Sequence, residues 1–433
     1  MSMDLAVLLV GGRQSWNSLS ALVGALEVDP RFPDLEVRFA APGPEAIASA
    51  SALTARYGRV IVGFSFMTPD LPKVAAQVAQ LRQALPRVDH PQLHLVAGGP
   101  HATASWRTTL ALGFDYAVVG EGEVAFPELV WQLATGGRPE GVRGVASQRA
   151  DGAYLTTGRA RPIRLDDYPP FSPRYRRHGP IEITRGCPHR CRFCATPFLT
   201  GRHPRHRSPR EVLRWVESCL ANGVDQIRFI APNSLAYGSA DSTPHLEWLE
   251  ELLRATSELA GRRNTFLGSF PSEVRPDSVT PEAVELVARY CGNDNLVIGA
   301  QSGSPRMLER MQRGHTVEDI YRAVEIARAA GLIANVDIIF GLPGETLEDR
   351  RLTLDLIDRL TERGARIHSH TFMPLPGAAW GRCPPGRIDK ETERRLGALA
   401  LRGLQYGTWQ KQAAKAQGWC RLLAQLEGRP LQP

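Results

Sequence analysis

The stretch Glu182-Ile183-Thr184-Arg185-Gly186-Cys187-Pro188-His189-Arg190-Cys191-Arg192-Phe193-Cys194 decides how the rest of this chain is read. It spaces three cysteines as C-x3-C-x2-C, directly after a short apolar-alternating run, Ile181–Ile183, that has the pattern of a strand end. Three nearby thiolates leave a metal centre one ligand short. A closed zinc site takes a fourth Cys or His at short range. His189 lies inside the loop and His203 and His206 follow it, so counting ligands leaves zinc open. A four-iron cluster normally takes one thiolate on each iron corner, so the same three cysteines would leave one iron free to hold another molecule.

The surroundings of the loop are basic. Arg174, Arg176, Arg177, Arg185, Arg190, Arg192, Arg202, Arg205, Arg207 and Arg210 crowd it, within a chain of net charge +7. Such a patch attracts anions, but no aromatic platform for stacked bases is interleaved with it, which disfavours nucleic acid. The other cysteines, Cys219, Cys291, Cys383 and Cys420, are scattered, and an odd total of seven in 433 residues does not describe a disulfide framework. They read as small buried hydrophobes. No run approaches the roughly 18 to 20 apolar residues of a membrane span. Met1–Val10 has the pattern of a buried first strand rather than a signal peptide, and a cytoplasmic protein is expected.

Upstream of the loop, residues 1–140 alternate strand-like and helix-like runs. Strands are expected at Asp4–Val10, Leu35–Ala40, Arg59–Phe64, Leu93–Ala97 and Tyr116–Val119, with helices at Ser18–Glu27, Pro44–Tyr57 and Leu71–Leu85. This alternation predicts a Rossmann-like, doubly wound parallel sheet whose ligands bind at the carboxyl ends of its strands. Small and polar residues fall at those ends: Gly11, Gly12 and Gln14; Ser65, Phe66 and Thr68; Gly98 and Gly99; Gly120 and Glu121. No G-x-G-x-x-G follows the first strand, which disfavours a dinucleotide. Residues 141–180, rich in Gly, Pro and Arg and ending in the DDYPPFSP run Asp166–Pro173, read as a linker with short strand pieces.

From 181 to 375 the alternation resumes. Strands are expected at Ile181–Thr184, Gln226–Ala231, Thr265–Phe270, Asn295–Ala300, Ala334–Phe340 and Arg366–Phe372, separated by helices at Pro209–Ala221, Pro244–Glu258, Pro281–Cys291, Val317–Ala330 and Leu347–Arg363. Such βα units predict a partial (β/α)6 barrel with its chemistry at the strands' C-terminal ends. Residues 376–433 read as a helical C-terminal extension.

The cysteine spacing, with Phe193 directly before the last Cys, resembles the signature of the radical S-adenosylmethionine (SAM) enzymes. The resemblance implies a [4Fe–4S] cluster on Cys187, Cys191 and Cys194. It further implies SAM chelated to the open iron, and one-electron cleavage of SAM to a 5′-deoxyadenosyl radical, fed by a donor such as flavodoxin or ferredoxin. The segment Val297–Ser304 looks like that family's fourth-strand region, with Gln301 and Ser302 at positions that help hold SAM. Asp337–Glu345 resembles the fifth strand and loop that pack on the adenine, through Gly341 and Pro343. A G-G-E found after the second strand in many members is replaced by Ala231-Pro232-Asn233-Ser234, where Asn233 or Ser234 would substitute as acceptors.

The phrases VGFSFMT (62–68), LVAGGPHAT (95–103) and VVGEGE (118–123) resemble the cobalamin (B12)-binding domain that precedes the radical SAM domain in a large subgroup. The resemblance assigns the strand-end residues above to cobalamin. The D-x-H-x-x-G motif that supplies a lower cobalt ligand in many B12 proteins has no counterpart after Val10. His101 follows the wrong strand to replace it and is expected at the rim or in a structural role. Together the resemblances imply a cobalamin-dependent radical SAM enzyme, with methyl transfer to an unactivated carbon of a small-molecule or biosynthetic-intermediate substrate as the leading expectation. A rearrangement or ring reaction, or an empty N-terminal domain, is the alternative. A non-enzymatic corrinoid sensor or zinc protein is the third reading.

Overall fold

A computed structural model describes residues 4–429. Leu5–Val10 (β1) is apolar at every position and buried at every position, as a central strand covered on both faces must be. It pairs in parallel with Glu36–Ala40 (β2) on one side and Arg59–Ser65 (β3) on the other, with Val10 opposite both Ala40 and Phe64. Leu93–Gly98 (β4) and Tyr116–Val118 (β5) continue the parallel set. The order is β2-β1-β3-β4-β5, so the winding reverses between β1 and β3. That is where a doubly wound sheet opens a crevice for a ligand.

The segment read as a linker departs from expectation. Val145–Gln148 (β6) and Tyr154–Thr156 (β7) add to β5 as antiparallel strands. The chain divides into one unit of Met1–Gly179 with Gly418–Gln432, and a second of Pro180–Gln417. Residues 141–179 therefore belong to the first unit, where they protect the edge of β5 that a linker would leave bare. A helix at Gly122–Thr135, not anticipated from the pattern, packs Phe126, Leu129, Val130 and Leu133 into the core on Val7, Leu9 and Ile61.

In the second unit the short strands Ile181–Glu182 (β8) and Thr184–Arg185 (β9) are followed by Arg205–His206 (β10), which pairs antiparallel with β9. Ile227–Ile230 (β11) joins β8 to Thr265–Phe266 (β12), all parallel. Asn295–Gln301 (β13), Ile333–Phe340 (β14) and Arg366–Thr371 (β15) form a second parallel group, and a parallel bridge between Val274 and Ile298 links the two groups. The third strand is shorter than predicted because Gly268 turns at φ +68° and Asn293 takes the Leu267 N–H. A further strand, Gln405–Tyr406 (β16), comes from the region expected to be helical and pairs in parallel with β15. No ladder joins β8 to β16 among the described residues, so the barrel is open.

The helices begin where their caps say. The hydroxyls of Ser208 and Thr280 accept from Glu211 N–H and Ala283 N–H, each ahead of a proline in the first turn. Thr316 with Asp319, and Thr346 with Asp349, form full capping boxes.

Candidate functional site

A cavity of about 650 Å³ lies in the second unit and is lined by Cys187, Cys191 and Cys194. Backbone hydrogen bonds shape the cysteine loop: Cys187 N–H to Gly201 O at 3.1 Å, Cys194 N–H to Cys191 O at 3.0 Å and Arg192 N–H to Met311 O at 2.9 Å. Burial pushes the Cys187 and Cys194 thiols up, so a positive partner is needed to hold thiolates here. Arg313 supplies one such charge, donating Nη1–H to Cys191 Sγ at 3.4 Å and Nη2–H to Gly299 O at 2.6 Å. Gly299 allows this approach, because a Cβ there would lie 2.8 Å from both Arg313 Nη2 and Gln301 Nε2.

The donor set fits an iron–sulfur cluster better than zinc. A tetrahedral zinc brings thiolate sulfurs to about 3.8 Å of one another, given Zn–S of about 2.3 Å. Among the described residues the three cysteines form no group of ligand atoms within 4.8 Å of one another. Of the histidines that left zinc open, His206 is bonded away from the cavity, whereas His189 lines it with Nε2 on Ser242. His206 Nδ1 accepts from Gly238 N–H at 3.2 Å and its Nε2–H donates to Ser239 O at 2.8 Å. His189 Nε2 meets Ser242 Oγ at 2.6 Å, and burial, then the Arg275 charge, lowers its pKa to about 4. His203 is absent from the cavity lining.

Of the residues assigned to SAM, Phe193 lines the cavity, whereas Asn233, Ser234, Gln301, Ser302, Gly341 and Pro343 are not among its lining residues. Asn233 is buried in structural bonds, its Nδ2 donating to Ser278 Oγ at 2.7 Å and its Oδ1 accepting from Arg275 N–H at 3.2 Å. Ser302 Oγ lies 3.2 Å from Thr353 Oγ1. Gly341, at φ +72°, lies against the backbone of Gly386 and Arg387, and Pro343 O accepts from Arg310. Gln301, buried and at φ +76°, ends β13 beside Gly299.

Sequence reasoning missed Glu273, Arg275, Arg313, Asp337, His368, His370 and Tyr406, which also line the cavity. Burial raises the Glu273 carboxyl, against the lowering charge of Arg313. An acidic residue after a cis-proline turn carries no motif; only a carboxylate following the third strand could have flagged it.

In the first unit the residues after β1 and β3 flank the reversal of winding, and those after β4 and β5 lie one and two strands further along the sheet. Ser65 Oγ lies 2.8 Å from Ser18 Oγ, and Gly12 has open space where a Cβ would stand. Gly11 abuts Ser15 and Leu19, and Gln14 meets the Asp70 carboxylate. Gly98 ends β4, and Gly99, at φ +86°, presses on Ser65 and Phe66. Gly120 donates its N–H to Thr103 Oγ1, and Glu121 accepts from Ile163 N–H at 2.9 Å, which ties it to its own unit's fold. His101 is fully buried, bonded to Thr68 Oγ1 at 3.0 Å and stacked on Phe66. Burial lowers its pKa to about 4, the profile of a structural histidine.

Comparison with known proteins agrees with this architecture. Residues 181–357 match the model of the radical SAM superfamily, and residues 16–130 match the B12 binding domain. The chain therefore combines a radical SAM domain with a B12-binding domain. A protein of uncharacterised function from Methanopyrus kandleri is 28% identical over 395 residues, 77% of this chain and 72% of the relative. The tRNA-2-methylthio-N(6)-dimethylallyladenosine synthase of Chlorobium phaeobacteroides is 32% identical over 252 residues; the match spans 58% of this chain but only about half, 54%, of that enzyme. The structure of the radical SAM methyltransferase TsrM from Kitasatospora setae, solved with cobalamin and a [4Fe–4S] cluster, superposes with a TM-score of 0.67 at 19% identity, covering 88% of this chain and 74% of TsrM. At that identity the likeness shows the fold. No helix among the described residues is long and apolar enough to cross a membrane.

Proposed function

We propose that this radical SAM enzyme is a cobalamin-dependent methyltransferase acting on an unactivated carbon of a small-molecule substrate. The observation that carries the reading is the three-cysteine loop lining a cavity that also holds Glu273 and Arg313. When bound, the cluster would supply the electron that cleaves SAM, and cobalamin would carry the methyl group. Cys187, Cys191 and Cys194 would hold the cluster as thiolates, with the Arg313 guanidinium offsetting their charge. Glu273, rather than Asn233, would accept from the ammonium group of SAM, since its carboxylate faces the cavity while the Asn233 amide is spent on Ser278 and Arg275. The apolar walls Phe193, Pro197, Pro232 and Val297 would keep water away from a radical. In the first unit, Gly12, Ser65 and Gly99 would let the corrinoid approach the strand ends closely.

The methylthio reaction of the tRNA relatives is a poor fit. The segment ahead of the cysteine loop is a B12-binding domain containing no cysteine, so it offers no thiolates for a second cluster.

The test is anaerobic reconstitution with iron, sulfide and hydroxocobalamin, followed by metal analysis and incubation with methyl-labelled SAM and a small-molecule extract. A full cluster, one corrinoid per chain and label in a new compound support the proposal. Label confined to SAM fragments, with the extract altered in another way, points to the non-methylating alternative. Zinc in place of iron overturns the enzyme reading.

A further inference from the structure

The ends of β14 and β15 bring together three groups that cluster chemistry leaves unused. Asp337 stands directly opposite His368 in the parallel register, and His370, two residues on, shares its face of the sheet. All three line the cavity. Their ligand atoms lie within 4.8 Å of one another, the spacing of a two-histidine, one-carboxylate metal site.

The hydrogen bonds argue against metal. Thr371 N–H donates to Gln412 Oε1 at 3.0 Å, which fixes the amide so that its Nε2 donates to His370 Nδ1, also at 3.0 Å. The Nδ1 lone pair is thereby occupied, so neutral His370 carries its proton on Nε2, the nitrogen that faces Asp337 Oδ1 at 3.7 Å. A protonated nitrogen is not a ligand. His368 Nδ1 lies 2.9 Å from the same oxygen and donates to it, which leaves the His368 Nε2 lone pair without a protein partner among the described residues. The ring is stacked on Tyr406, with centroids 4.5 Å apart and planes 7° from parallel, so its direction is fixed.

We infer that His368 is a proton acceptor in the cavity, and that the substrate carries an ionisable hydroxyl, ammonium or ring N–H. The inference rests on the cavity being the radical enzyme's substrate site. In the step, the substrate O–H or N–H bond breaks heterolytically, its electron pair stays on the substrate and the proton bonds to His368 Nε2. The imidazolium so formed donates through Nδ1 to Asp337, as a base oriented by a carboxylate does. Deprotonation makes the substrate electron-rich without any redox partner. Asp337, His370, Gln412 and Tyr406 are positioning residues. The titratable groups beside His368 are Asp337 from β14, His370 from its own strand and Tyr406 from β16, and Glu273, Arg275 and Arg313 share the cavity lining.

The test is carbethoxylation of the reconstituted full-length protein by diethyl pyrocarbonate, which reacts with an unprotonated imidazole nitrogen, between about pH 5 and 9. Modified peptides are quantified by mass spectrometry and iron is measured on the same samples. His368 is expected to react at least tenfold faster than His370, and that ratio is expected to collapse in Asp337→Asn, because the carboxylate is what holds the His368 proton on Nδ1 and leaves its lone pair on Nε2. A purely structural Asp337 would not change that ratio. Gln412→Leu, which leaves the Asp337–His368 pair intact, is expected to raise His370 reactivity and serves if Asp337→Asn does not fold. Preferential modification of His370 overturns the inference. So does protection of both histidines by one equivalent of Zn2+ or Mn2+, which would mark a metal site. Because iron is counted separately, absent iron with a reactive His368 condemns the cluster reading alone, and full iron with an unreactive His368 condemns this inference alone.

Discussion

Two neighbouring glycines of the first unit separate what the fold needs from what a cofactor needs. Gly12 has ordinary extended backbone, φ −110° and ψ −163°, and an added Cβ meets nothing within 4 Å. Replacing it by valine should leave folding within about 0.5 kcal/mol, or gain slightly by restricting the unfolded chain. Gly99 is the opposite case: φ is +86°, and a Cβ would stand 2.7 Å from Ser65 Oγ, 3.0 Å from Phe66 N and 3.1 Å from Phe66 O. The left-handed backbone costs about 1–2 kcal/mol, and forcing an atom against main chain that cannot move adds about 1–3 kcal/mol. Gly99→Ala should therefore lose about 2–5 kcal/mol. The assay is urea unfolding followed by far-UV circular dichroism, paired with hydroxocobalamin retention measured after desalting. Gly12→Val should keep the wild-type unfolding curve and lose corrinoid affinity by tenfold or more, about 1.4 kcal/mol. Full retention by Gly12→Val would refute the assignment of cobalamin to the β1–β3 crevice, and an unchanged unfolding curve for Gly99→Ala would refute the strain reasoning.

Cys191→Ala should lower bound iron below a full cluster and abolish dithionite-driven formation of 5′-deoxyadenosine. Hydroxocobalamin uptake should stay within about twofold, since the two sites belong to separate units; simultaneous loss of uptake would count against that division. Glu273→Gln removes a charge-assisted acceptor worth about 1.5–3 kcal/mol, so SAM affinity read by equilibrium dialysis should weaken roughly tenfold or more, and an unaltered affinity would return the role to another residue. Asp389 caps the helix Lys390–Leu401, accepting from Glu391 and Thr392 N–H, and pairs with Arg350 at 2.8 Å. Burial raises its carboxyl, but these donors outweigh burial and lower the pKa to about 2. Its stabilisation is present above the unfolded carboxylate value near 4 and disappears as pH falls through about 2. Asp389→Ala should cost about 1 kcal/mol at neutral pH, with the gap to wild type closing between about pH 4 and 2 in acid titration; a gap independent of pH would contradict the assignment.

The βα alternation was legible because buried parallel strands are continuous apolar runs and their helices announce themselves by caps such as Ser208-Pro209 and Thr280-Pro281. Leu5–Val10 could be read as a buried strand from its six residues alone. Val145–Gln148 and Tyr154–Thr156 were found as strand pieces but placed in a linker, because which sheet a short strand joins is a tertiary choice absent from local pattern. The cysteine loop was legible through its spacing. Glu273, Arg313, Asp337 and His368 were not: they come from four separate segments, and nothing but the fold makes them neighbours. Asn233 shows the converse error source, since a polar residue at the right place in sequence is consumed by Ser278 and the Arg275 backbone.

β16 lies some thirty residues beyond the end of the βα pattern in the sequence, yet it pairs along β15, the strand that carries His368 and His370. A ribosome making this chain must therefore synthesise past Tyr406 before that flank of the sheet has a neighbour. Until then β15 offers its free amides and carbonyls to any other nascent strand. Any chimera that transplants the catalytic half onto another carrier has to cut after the tail strand, because a boundary drawn at the last βα unit would deliver a sheet with an adhesive margin.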